Sequence, residues 1–145
     1  MESTFHGAAV ITLDAKGRVA IPTRHRSVLK ALVLTAHPDG CVLIYPAVEW
    51  EPVRAKVELF PSFDPKASWW KRLLIGFEEH VTPDGSGRIL LPPALRQHAK
   101  LERDAMMVGQ GHYFELWDSG VWSAKLDQAL STAGAPPAGM EGFSL

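Results

Sequence analysis

The sequence of 145 residues holds one cysteine, Cys41, so no intrachain disulfide can form. No apolar run approaches the roughly 18 residues of a membrane span. Residues 1–7 carry neither a basic start nor an apolar signal core. These absences predict a cytoplasmic protein with no membrane partner. The histidines, His6, His25, His37, His80, His98 and His112, never pair with one another or with Cys41 at zinc-ligand spacing. Phosphate-cradling glycine loops and nucleophile elbows are missing too, and Gly85-Ser86-Gly87, short and followed by Arg, reads as a turn. The expectation is a protein that is not an enzyme and uses no metal and no cofactor. Excess positive charge is also absent: the net charge is −1 with His neutral, which by itself does not suggest nucleic acid.

Charge placement says more than the total. From Ala15 to Ala31 stand Lys16, Arg18, Arg24, Arg26 and Lys30 with no acidic residue between them. From Gly85 to Leu101 stand Arg88, Arg96 and Lys100, again with none. Acidic residues gather elsewhere, at Glu49, Glu51, Glu58, Glu78, Glu79, Glu102 and Asp104. This is either a pair of solvated faces or one basic patch on an otherwise neutral or acidic molecule.

Both basic segments follow the same phrase. Asp14-Ala15-Lys16-Gly17-Arg18-Val19-Ala20-Ile21-Pro22 returns 70 residues later as Asp84-Gly85-Ser86-Gly87-Arg88-Ile89-Leu90-Leu91-Pro92. An Asp carboxylate can fold back on nearby N–H groups and start a turn. Gly17 and Gly87 can take the positive φ such turns need. Arg then opens a short apolar strand, and Pro stops it. With Ala8 to Leu13 and Phe77 to Thr82 as partner strands, each copy reads as a β-hairpin with an Arg at its turn. Two roles are open for that Arg: a surface ion pair with Asp, worth ~0–1 kcal/mol, or a presented recognition side chain.

The remainder repeats in order. Thr23 to Lys30 and Pro93 to Ala99 read as short helices. Leu32 to Thr35 and Met106 to Val108 read as strands, as do Cys41 to Tyr45 and Tyr113 to Trp117. Each half then ends in a longer helix. Ala47 to Leu59 turns Val48, Val53 and Val57 inward around Trp50. Asp118 or Ser119 caps a helix bearing Val121, Trp122, Leu126 and Leu130. A linker helix starts at Asp64-Pro65 and runs to about Ile75. Each half has about four short strands, too few to cover both faces unaided, so the two halves are expected to share one small barrel with flanking helices. The divisions are 1–60 for the first repeat, 61–76 for the linker with its helix, 77–130 for the second repeat, and 131–145 for a flexible tail with three Gly, two Pro and little charge. The class is α+β, mainly β.

With its doubled Asp-x-x-Gly-Arg phrase, the chain resembles the AbrB/SpoVT swapped-hairpin domain. Its two-copy layout from Met1 to Leu130 is similar to the MraZ family. Supporting matches include Phe5-His6-Gly7, Gly40-Cys41-Val42, Tyr45-Pro46, Glu49-Trp50, Val108-Gly109 and Phe114-Glu115-Leu116-Trp117. The resemblance implies an intramolecular pseudo-dimer of swapped hairpins. It implies a sequence-specific DNA-binding repressor whose ring-shaped homo-oligomer binds short G-rich direct repeats in double-stranded DNA at its own promoter, in the nucleoid, within the division and cell-wall gene cluster. The family's contact residues carry over to Asp14 and Arg18 and to Asp84 and Arg88. Lys16 matches the basic residue of the first loop, and Ser86 replaces it in the second. Arg24, Arg26 and Lys30 suit phosphates. The rival reading on the same fold is the antidote of a toxin–antitoxin pair.

Overall fold

The structure, a computed structural model, describes residues 4–144. Residues 1–3, placed above in the first repeat, and residue 145 of the expected tail lie outside the described residues. The strands are β1 (Ala8–Thr12), β2 (Arg18–Ala20), β3 (Leu32–Ala36), β4 (Val42–Pro46), β5 (Glu79–Val81), β6 (Arg88–Leu90), β7 (Asp104–Gly109) and β8 (Phe114–Asp118). The helices are α1 (Ala47–Glu58), α2 (Pro65–Leu74), α3 (Pro93–His98) and α4 (Ser119–Thr132), with a 3-10 turn at Thr23–His25. Asp64 caps α2 by accepting from the Ala67 N–H at 2.9 Å, and Asp118 caps α4 by accepting from the Val121 N–H at 3.0 Å.

Six strands form one antiparallel sheet in the order β1-β7-β8-β4-β3-β5. The order reads the same from either end once repeat equivalents are exchanged. The local two-fold therefore passes between β8 and β4, where Leu43 faces its counterpart Glu115. The other two strands, β2 and β6, pair only with each other.

Two expectations are corrected here. The phrase does make a tight turn, but its flanking strands are not paired as a hairpin. β1 joins β7 of the other repeat, and β5 joins β3. Each turn is a corner between a strand in the large sheet and a strand in the small ribbon. A half-chain cannot cover its own edges, so the pairing crosses between repeats. The sheet also does not close into a barrel. β1 and β5 end up at opposite edges with four strands between them, and the ribbon covers a face instead of bridging those edges.

Alternation along the strands sorts the core onto two faces. Leu32, Leu34, Ile44, Met107, Phe114 and Leu116 meet Val19 and Ile21 of the first repeat and Ile89, Leu91 and Leu95 of the second. On the opposite face Val33, Leu43, Tyr45 and Trp117 meet Trp50, Val57 and Leu74 from α1 and α2. Cys41 is fully buried on that face, a small core residue as expected. Three layers result: the ribbon with its short helices, the sheet, and the long helices.

The inward faces of the long helices differ from expectation. Val48 is 80% exposed, and in α4 Leu126 and Leu130 are exposed, with Val121 and Trp122 half-buried. For α4 the reason is the linker helix, which occurs once: α1 packs against α2, whereas among the described residues α4 leans on β7 and β8 with no counterpart of α2 over it. Val48 lies on the side of α1 away from Trp50 and Val57. Residues 133–144 carry neither helix nor strand and are exposed.

Candidate functional site

Each repeated turn is built by its own aspartate. The Asp14 N–H donates to the Arg18 carbonyl at 2.9 Å, and the Gly17 N–H donates to the Asp14 carbonyl at 3.0 Å. Asp14 Oδ1 then accepts from the Lys16 and Arg18 N–H groups, both at 2.9 Å. Oδ2 accepts from Arg18 Nε at 2.7 Å. The second turn copies this. Asp84 Oδ1 accepts from the Ser86 N–H at 2.9 Å and the Arg88 N–H at 3.0 Å, and Oδ2 accepts from Arg88 Nε at 3.3 Å. Gly17 and Gly87 have φ of +83° and +74°, a left-handed backbone that a Cβ would disfavour.

These bonds set the carboxyl chemistry. The Arg18 N–H chiefly holds the Asp14 carboxyl below the ordinary carboxylate range, against the opposing pull of partial burial, with help from the Arg18 side chain and the Lys16 N–H. The Arg88 N–H does the same for Asp84. Both aspartates therefore stay charged and hold their turns at neutral pH.

The surface ion pair considered above is made in both copies, yet it does not use up the arginine. Asp14 takes the Nε edge of Arg18. Among the described residues no hydrogen bond engages its two terminal nitrogens. The Arg18 side chain is 27% exposed and that of Arg88 38% exposed, so neither is spent inside the core. The two turns also adjoin. Arg88 Nη1 stands 4.0 Å from Asp14 Oδ2, so Asp14, Arg18, Asp84 and Arg88 make one cluster rather than two separate sites.

Both basic segments lie in the ribbon layer. Lys16 and Lys30 are exposed and make no ion pair among the described residues. Arg24 donates from Nη2 to the His6 carbonyl at 3.0 Å and from Nε to His25 Nε2 at 3.0 Å, fastening the segment before β1. His25 is buried between the Phe5 and Phe114 rings, at 5.2 and 5.1 Å, and burial pushes its pKa down. Arg26 donates from Nε to the Ile21 carbonyl at 2.9 Å and lies against Gly87 of the second turn. Arg96, not singled out above as a site residue, does the same from Leu91 to Gly17. Its signal was in the sequence: Arg26 and Arg96 occupy the same position in the two repeats. A shallow cavity of about 300 Å³ opens between Arg26, Lys30 and the second turn at Asp84. Among the described residues no group of three or more His, Cys, Asp or Glu side chains is arranged to hold a metal ion. Among the same described residues no helix is long and apolar enough to cross a membrane.

The duplication extends to known proteins. The family described as "MraZ protein, putative antitoxin-like" matches residues 4–73 and again residues 74–137. A Methylobacillus flagellatus protein named "Transcriptional regulator MraZ" is 48% identical, over 97% of this chain and 99% of its own length. Proteins of the same name from Aromatoleum aromaticum and Azoarcus sp. are 47% and 44% identical over the same shares. With both halves matched in register and relatives collinear from end to end, the chain belongs to the MraZ family.

Proposed function

We propose that this chain is a sequence-specific DNA-binding repressor. It occupies short G-rich direct repeats in the promoter of its own operon, within the division and cell-wall gene cluster, as a ring-shaped homo-oligomer in the cytoplasmic nucleoid. The observation that carries the reading is the Asp–Arg cluster. Each arginine is gripped through Nε, and among the described residues no hydrogen bond engages its terminal nitrogens, although Arg88 Nη1 also faces Asp14 at 4.0 Å. A planar fork of that kind matches guanine O6 and N7. The regulator names of the relatives support the same reading.

In this mechanism Arg18 and Arg88 read base edges, and Asp14 and Asp84 orient them. Lys16, Arg24, Arg26 and Lys30 neutralise phosphates around the cluster and set register. Ser86 stands where the first turn has Lys16, so the first turn carries more of the affinity. The exchange of β1 and β5 between repeats supports a swapped-hairpin pseudo-dimer of two repeats. One subunit makes few contacts, and direct repeats engaged by several subunits of one assembly raise affinity ~10²-fold or more.

Promoter-fragment binding with Arg18→Ala and Arg88→Ala tests this. Loss in the first and partial loss in the second is the expected pattern. Undiminished binding in both, with fold and assembly intact, removes the site. The family's antitoxin-like description favours a second reading, an antidote that masks a toxin. Co-purification of a stoichiometric small partner from the native host, with no promoter binding, is the outcome that selects it.

A further inference from the structure

The two turns are held from outside as well as by their own aspartates, and the holding crosses between repeats. Leu91 donates its N–H to the Gly17 carbonyl at 3.0 Å. The same residue's carbonyl accepts from Arg96 Nε at 3.1 Å. The Arg96 guanidinium then lies so close on Gly17 that a Cβ there would fall 2.8 Å from Cζ and Nη1. The bracket closes: guanidinium on glycine, glycine on Leu91, Leu91 on guanidinium. Its twin joins Ile21 N–H to the Gly87 carbonyl at 2.8 Å and Arg26 Nε to the Ile21 carbonyl at 2.9 Å. There a Cβ on Gly87 would fall 2.5 Å from Arg26 Nε. Gly17 and Gly87 are buried beneath these side chains although they belong to surface turns.

We propose that Arg26 and Arg96 are crossed positioning residues, each clamping the Asp–Gly–Arg turn of the opposite repeat so that its recognition arginine is presented in one orientation. Arginine is the residue this bracket requires. Its flat guanidinium can lie on a bare Cα while its in-chain Nε–H reaches a carbonyl, and lysine has neither feature. Glycine is required on the other side, because any side chain would evict the clamp. The consequence for binding is pre-organisation: a turn already fixed before DNA arrives loses less freedom on contact. The clamp rests on the DNA-binding reading only in its affinity consequence. The crossed ordering of the turns stands independently of it.

The test uses Arg26→Lys and Arg96→Lys in the full-length chain. Both keep the charge, so a mere phosphate contact survives in them. Backbone amide order parameters by NMR should fall at residues 15–17 in R96K and at residues 85–87 in R26K, each in the turn distant in sequence. Promoter affinity should fall about tenfold in R96K. Unchanged order in both turns overturns the clamp, as does loosening of the mutated repeat's own turn. If Arg18→Ala leaves DNA binding intact, the DNA reading fails while the order parameters still decide the clamp. If Arg18→Ala abolishes binding and R96K binds normally with an ordered turn, the clamp alone fails.

Discussion

Val19 lies directly opposite Ile89 in the β2–β6 ribbon, and each is the other's counterpart 70 positions away. Both are 1% exposed. The pair sits where the two repeats meet as equals, beneath both turns.

Shortening Ile89 there should cost about 2–5 kcal/mol as Ile89→Ala, because the cavity opens in the core shared by both repeats. Its neighbour Leu90 points outward at 55% exposure. Leu90→Ala should stay within about 0.5 kcal/mol. Denaturant unfolding of the two variants side by side reads the contrast, and equal losses would mean that the ribbon is not seated on the sheet.

Lys16 and Arg18 should fail in different ways. Lys16→Ala should weaken binding to all DNA alike and reduce the slope of log affinity against log salt by about 0.9. Arg18→Ala should cost about 1–3 kcal/mol on the preferred site and relax discrimination at guanine. Fluorescence anisotropy across a salt series, with matched and scrambled fragments, separates them. An identical profile for both variants would argue against a division between base and phosphate contact.

The Asp14 carboxyl is depressed in the folded protein, so the order it gives its turn is fully present above the ordinary carboxylate value of 3.8 and is lost as pH falls through the lowered one. Its main support is the Arg18 backbone N–H, which every substitution at position 18 except proline retains. Arg18→Ala should therefore return only part of the shift. Carbon-detected NMR titration of the side chain measures it, and full recovery in Arg18→Ala would mean that the guanidinium carries the effect.

Glu78 ties α1 to the strand entering the second repeat. It accepts from the indole N–H of fully buried Trp50 and from Arg54 Nε at 3.1 Å. Glu78→Ala leaves the Trp50 N–H with no partner and should destabilise by about 1–3 kcal/mol. Glu78→Gln keeps an acceptor and should cost less. Matching losses on thermal unfolding would assign the effect to charge rather than to the orphaned donor.

His25 gives the fold a mild acid sensitivity. Its pKa is lowered from the ordinary 6.5 by burial first, then by Arg24 and His6. The unfolded chain binds this proton more readily. The stabilisation is therefore complete above the ordinary value and declines as pH falls through the lowered one. Protonation also removes the acceptor that Arg24 Nε uses. His25→Phe should flatten the unfolding midpoint below the ordinary value of 6.5, where the parent chain loses stability. A slope as steep as that of the parent chain would assign the sensitivity to another group.

What was legible from residues alone is whatever short-range chemistry fixes. Asp14 and Gly17, echoed by Asp84 and Gly87, specify a turn through bonds spanning four residues, and they form it. Asp64 and Asp118 cap the helices they precede for the same reason. The apolar runs Leu32 to Thr35 and Cys41 to Tyr45 read as strands, and β3 and β4, which they overlap, are buried along their whole length. Partner choice was not legible, because hydrogen bonds between strands carry no address in the sequence. β1 could pair with its own continuation or with β7, and only the need to cover both edges of an assembled sheet sends it across to the other repeat. That crossing leaves an open sheet where a barrel was expected, and it brings Arg88 to Asp14. The same crossing lays Arg96 on Gly17, 79 positions away in the chain. Local sequence made two separate turns, and packing between the repeats joined them into a single Asp–Arg cluster.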